Sequence, residues 1–147
     1  MKLAKCYNDM MKKRDVAVLI LNDKGKILLQ KRSRTAKRFP LKWGLFGGGI
    51  EEGESPERGL KREIVEELEL KLNEVRKIYE LAYTLAEKSE AGTIYAFCAN
   101  YDKEKLSLNE GDEMKWLEID EALTYDLSPD YRKIIEFVGQ NREVMVL

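Results

Sequence analysis

The chain contains no histidine among its 147 residues. That absence removes, in one step, Ser-His-Asp and Cys-His nucleophiles, His-ligated zinc and imidazole as a general base. Proton transfer then falls to a carboxylate, Lys, Tyr, Cys or a metal-bound water. Cysteine is scarce as well: Cys6 and Cys98 are too few to define a disulfide framework, and no CxxC spacing suggests zinc. No apolar run approaches membrane-spanning length, and the opening MKLAKCYNDMMKKR lacks the apolar core of a signal peptide. The expectation is a soluble cytoplasmic protein with reduced thiols and no membrane partner. A formal net charge of -1 gives no global field and no strong nucleic-acid signal, so any attraction for phosphate must come from a local patch. No linker is evident, and residues 1–147 are expected to form a single domain.

What is abundant is acid beside glycine. The stretch WGLFGGGIEEGESPERGLKREIVEELEL, Trp43 to Leu70, holds three consecutive glycines and eight glutamates. Gly47, Gly48 and Gly49 allow positive φ and close backbone approach. Ser55, Pro56 and Glu57 read as N-cap, first helical position and dipole-favoured acid, so a loop leads into a helix. Leu60, Ile64 and Leu68 recur at four-residue spacing and give that helix its core stripe, with Val65 on the edge. Glu63, Glu66 and Glu67 fall at i, i+3 and i+4 and gather on a neighbouring face, where like charges repel by a few tenths of a kcal/mol, roughly, per pair. Two readings fit. One is a solvated face in which Arg62 pairs with Glu66 and Lys71 with Glu67; the other is a site for hard divalent cations, which favour clustered carboxylate oxygens.

Read from Gly48, the order is Gly, five residues, Glu54, seven residues, Arg62-Glu63, Ile64, Val65, Glu66-Glu67, Leu68, Glu69, Leu70. This resembles the signature of the Nudix hydrolase family (MutT-like), G-x5-E-x7-R-E-U-x-E-E-x-G-U with U aliphatic. Glu69 stands where the family has glycine, and Phe46 where many members have proline; neither departure touches a carboxylate. The resemblance implies Mg²⁺- or Mn²⁺-dependent hydrolysis of a diphosphate linkage in a nucleoside diphosphate derivative. Carried over by position, it implies metal contacts from the Gly47 carbonyl, Glu63, Glu66 and Glu67, with Glu63 as ligand or base. Glu54 would support the loop or the metal, and Arg62 would orient the acids. Proline or tyrosine markers of some subgroups are absent downstream, where Leu85, Ala86, Glu87 and Lys88 stand. A nucleoside triphosphate, normal or oxidised, is then the default substrate, with nucleotide sugars close behind. A Nudix domain that only binds a nucleotide or a protein is the alternative of a different class, and a homodimer stays open.

The rest of the chain reads around that segment. Val16 to Leu21 and Ile27 to Leu29 are apolar strand-length runs joined by the turn Asn22-Asp23-Lys24-Gly25. Lys31, Arg32, Arg34, Lys37, Arg38 and Lys42 follow with no acid among them, either a solvated loop or a basic rim; Arg32, just after the strand, is the best single candidate for a phosphate contact. Leu72 to Leu85 and Thr93 to Tyr101 look like a long hairpin, whose Tyr79, Tyr83 and Tyr95 suit packing better than base stacking. Met114 to Leu117 starts a short strand. Just before it lie Glu110, Asp112 and Glu113, and the resemblance implies one further acid from this region at the metal or the water. Ser128-Pro129-Asp130 opens a last helix expected to end near Gly139. Alternating strands and two helices suit an α/β/α sandwich with a mixed β-sheet, and the resemblance implies the Nudix-type α/β fold specifically.

Overall fold

A computed structural model describes residues 11–85, 90–101, 106–109 and 111–146 of the chain. Seven strands form one mixed sheet: β1 (Met11–Leu21), β2 (Ile27–Lys31), β3 (Trp43–Gly44), β4 (Phe46–Gly49), β5 (Val75–Leu85), β6 (Glu90–Asn100) and β7 (Glu113–Leu117). The order is β3-β2-β1-β6-β5, with β4 pairing β1 and β7 pairing β2. β1 and β6 are parallel in unbroken register from Met11↔Glu90 to Leu21↔Asn100, whereas the β1–β2, β1–β4, β2–β3, β2–β7 and β5–β6 pairs are antiparallel. Among the described residues the helices are α1 (Pro56–Leu68), the short α2 (Ile119–Ala122) and α3 (Pro129–Gln140), followed by a 3₁₀ turn, Arg142–Met145. No helix among the described residues is long and apolar enough to cross a membrane.

The continuous apolar run of β1 has a simple cause: the strand is covered on both faces. Val16, Val18 and Ile20 pack with Leu60, Ile64 and Leu68 of α1. Ala17, Leu19 and Leu21 point the other way, toward Ile134, Ile135 and Val138 of α3. The three apolar residues of α1 are fully buried, each worth roughly 1.5–3 kcal/mol, so the expected stripe is what docks the helix. This is the α/β/α sandwich expected from the sequence.

Both ends of α1 are tied down. The Ser55 hydroxyl accepts from the Arg58 N–H at 3.2 Å, and Pro56 occupies the first turn. At the other end Glu69 is left-handed, φ 53° and ψ 35°, and its N–H reaches the Val65 carbonyl. The next three carbonyls, of Glu66, Glu67 and Leu68, accept from Asn109 Nδ2, Asn109 N–H and Ser107 N–H at 2.9, 2.8 and 3.1 Å. A distant loop thus satisfies groups that a helix end leaves without intrahelical partners.

Several local expectations need correction. Gly47, Gly48 and Gly49 sit in β4 and none has positive φ; their size, rather than their freedom, is what the fold uses. The last helix ends at Gln140, next to the Gly139 expected to mark its end, and Gly139 also has a packing use: a Cβ there would come within 3.3 Å of Ile119 Cγ2. A register shift between Lys77 and Tyr79 interrupts the alternation of β5. It aims Tyr79 at Phe137, with ring centroids 4.3 Å apart and an interplanar angle of 21°.

Candidate active site

The segment after β4 and the helix α1 are joined by one guanidinium. Arg62 Nε and Nη2 donate to the two oxygens of Glu54 at 2.8 and 2.9 Å, and Nη2 also reaches the Gly49 carbonyl at 2.9 Å. Its Nη1 donates to Glu63 Oε1 at 3.0 Å and, more weakly, to Glu66 Oε1 at 3.4 Å. A fork that grips a carboxylate with two bonds gives orientation as well as attraction. These bonds, with the Glu51 N–H that Glu54 also accepts, hold the Glu54 carboxyl down to about 2. Arg62 is raised in turn, first by the same bond to Glu54.

The glutamates of the helix do not share one fate. Glu67 is only 2% exposed, which excludes a solvated face for it. Gln30 Nε2 lies 3.4 Å from its Oε2. The Glu63 carboxylate rests directly on Gly48, where a Cβ would stand 2.4 Å from its Cδ. Glu66 is turned outward, its side chain 56% exposed.

Two adjoining cavities open beside these groups. The larger, about 500 Å³, is lined by Gln30, Arg32, Ser33, Gly47, Glu67 and Asn109, among others. The smaller, about 250 Å³, has Glu63, Gly48, Arg38, Phe39, Ser128 and Tyr131 in its wall. Arg32, Gly47 and Glu67 belong to both. The structure therefore brings Gly47, Glu63, Glu67 and Arg32 together, with Glu54 and Arg62 behind them and Glu66 at the outer edge. Asp112 and Glu113 are exposed and line neither cavity; the Asp112 N–H bonds the Lys31 carbonyl at 2.9 Å, and Glu113 lies 3.9 Å from Lys115. Glu110 lies outside the described residues. Tyr79, Tyr83 and Tyr95 line neither cavity and serve packing.

Besides bordering both cavities, Arg32 organises the loop that follows β2. Its Nε donates to the Arg38 carbonyl at 2.7 Å, pinning the basic loop. Arg38 lies over the Phe39 and Tyr83 rings, 5.5 and 5.0 Å from their centroids, and between Asp15 and Asp130, 3.9 and 3.6 Å away. Burial raises the Asp15 carboxyl, and burial with Asp15 nearby pushes Tyr83 up to about 12. Tyr131 is raised further, again by burial. The fully buried Ser128 hydroxyl has no hydrogen-bond partner among the described residues, although it stands at the N-cap of α3 and borders the smaller cavity. Sequence reading missed Gln30, Asn109 and Asp15, and took Ser128 only as the start of a helix. A single amide inside the apolar run ILLQK was the one available signal, since a buried polar side chain in a strand needs a partner.

The donor set suits a hard divalent cation: carboxylates and backbone carbonyl, no thiolate and no imidazole. Among the described residues no three acidic side chains form a ready-made cage. That agrees with Arg62 engaging Glu63 and Glu66, and with the preference of such cations for keeping water and sharing phosphate oxygens.

Residues 11–138 match the family model described as NUDIX domain. A nucleoside triphosphatase NudI of Escherichia coli O139:H28 is 31% identical, the match covering 88% of this chain and 99% of that protein. Among solved structures, the E. coli ORF135 protein superposes with a TM-score of 0.79 at 27% identity, over 92% of this chain and 94% of that one. The MutT protein of Methanosarcina mazei Go1 gives the same TM-score at 24% identity, over 92% and 98%, and speaks for the fold. With the sandwich, the Gly48-to-Leu70 signature and the clustered carboxylates already in place, these matches settle the family: the chain belongs to the NUDIX domain family and is a MutT-like Nudix hydrolase.

Proposed function

We propose that the chain hydrolyses a nucleoside triphosphate, normal or oxidised, to a nucleoside monophosphate and pyrophosphate, with Mg²⁺ or Mn²⁺ as its cation. The observation that carries this reading is the common wall of the two cavities. Phosphates lying against Arg32, Gly47 and Glu67 would have the smaller cavity beside them for the nucleoside, walled by Phe39, Ile94 and Tyr131. The name of the NudI relative supports the same substrate class.

In this reading Glu66, Glu67 and the Gly47 carbonyl would hold the cation, and Glu63, the other candidate ligand, is kept as the base. Once bound, it neutralises phosphate charge and lowers the pKa of coordinated water. The chain's own groups do the rest. Arg32 orients the phosphates and offsets their charge. Glu63 takes the proton of the attacking water as its oxygen bonds to phosphorus and the bridging P–O bond breaks. Arg62 fixes Glu63 through Oε1 and, gripping Glu54 and the Gly49 carbonyl, keeps loop and helix from drifting apart. Without histidine, a carboxylate beside a cation is sufficient as base.

Product analysis on a panel of nucleoside triphosphates checks this directly. Monophosphate and pyrophosphate should appear only with added Mg²⁺ or Mn²⁺; undiminished turnover in excess chelator, or orthophosphate as the first product, overturns the reading. Glu63→Gln should lower kcat more than it raises KM. If that split appears at Glu110, Asp112 or Glu113 instead, the later loop supplies the base.

A further inference from the structure

Gln30 is the one polar residue of the buried part of β2 and is 6% exposed. Its Nε2 lies 3.4 Å from both the Leu45 carbonyl and Glu67 Oε2. Both partners are acceptors, so only the nitrogen end of the amide suits them, and the chemistry fixes which way the amide faces. The opposite end is closed by Gly111, where a Cβ would stand 2.5 Å from Gln30 Oε1 and 2.9 Å from the Lys31 carbonyl. Gln30, Glu67 and Gly111 line the larger cavity together.

A carboxylate as buried as Glu67 needs a donor to hold it. Lysine or arginine at position 30 would neutralise that carboxylate and compete with a cation for its oxygens. A neutral amide orients it and leaves its charge available, the usual task of a group standing behind a metal ligand. We infer that Gln30 is a positioning residue for the reaction, its amide fixing the Glu67 carboxylate in the orientation that meets the cation. The inference rests on the ligand role proposed for Glu67.

Mn²⁺ binding without nucleotide, followed by electron paramagnetic resonance, tests it independently of turnover. Gln30→Met keeps length and removes the donor; it should weaken Mn²⁺ binding by about tenfold or more, and the accompanying loss of kcat should be recovered at higher Mn²⁺. Gln30→Asn, which keeps an amide in the pocket but withdraws it by one methylene, should reproduce the loss and covers the case in which the first variant folds poorly. On a Glu67→Gln background Gln30→Met should cause little further weakening, because its effect runs through Glu67. Unchanged Mn²⁺ affinity in both folded variants, or the same loss with and without Glu67, overturns the inference while leaving the ligand role standing. If Glu67→Gln alone leaves Mn²⁺ affinity unchanged, the ligand role itself fails and takes this inference with it.

Discussion

Glu69 holds a left-handed backbone, φ 53° and ψ 35°, that a residue with a Cβ enters at a cost of about 1 kcal/mol. Glu69→Gly should therefore raise stability by up to roughly 1 kcal/mol, read as a higher Tm, without disturbing Mn²⁺ binding. A lowered Tm would mean the helix runs on through Glu69. That helix end was legible only through the resemblance, whose signature has glycine where Glu69 stands. The difference between Glu66 and Glu67 was not: helical spacing fixes the direction of each side chain, but what covers it comes from Gln30, far away in sequence. Glu67→Gln should lower kcat by orders of magnitude, whereas Glu57→Gln, which loses only an exposed pair with Lys61 at 3.4 Å, should do little; equal effects would return both to a structural role. Glu54 gives a pH test. Its folded pKa of about 2 lies below the ordinary 4.5, so the Arg62 contact stabilises the fold at neutral pH and keeps doing so down to about pH 4.5, then is lost as pH falls toward 2. Carbon-13 titration of the chelator-treated protein should show this carboxyl titrating well below the ordinary 4.5, and Arg62→Gln should bring it back up.

At the scale of an element, β4 shows why adjacent glycines are not equivalent. A Cβ at Gly47 would stand 1.9 Å from the Val16 carbonyl oxygen, a backbone atom of the paired strand that cannot yield cheaply. At Gly48 it would meet the end of the Glu63 side chain, which can swing aside. Gly47→Ala should thus be a stability mutant, losing about 1–3 kcal/mol or more. Gly48→Ala should keep its Tm yet lose about a hundredfold in kcat, because a displacement of roughly 1 Å at a reacting group costs that much. Calorimetry and kinetics on the pair decide it, and a Gly48→Ala enzyme of normal kcat would remove Glu63 from the chemistry. The sequence offered these glycines two uses, positive φ and close backbone approach; the partner strand shows that close approach is the one in force. Gly139 stands one residue before the helix end that it was expected to mark and makes a helix contact as well, which no sequence pattern announced.

For the whole molecule, the apolar run of β1 announced a buried strand, but its parallel partner was invisible, since pairing across such a distance leaves no local pattern. β1 and β6 join in register only after the glycine strand, the catalytic helix and β5 have all been made. The helix is also finished from outside, by Ser107 and Asn109 beyond β6. During synthesis, then, every glutamate of the signature leaves the ribosome before the strand and loop that lock it in place. Closing so long a loop is slow and is rewarded late. Stopped-flow refolding should show Mn²⁺ affinity and native tryptophan fluorescence appearing in the same late phase, and an early burst of cation binding would mean that the helix assembles its site alone. A nascent chain halted before β6 carries the whole signature but lacks the strand and loop that complete the site, so a stalled ribosome complex of that length should release no pyrophosphate from nucleoside triphosphates.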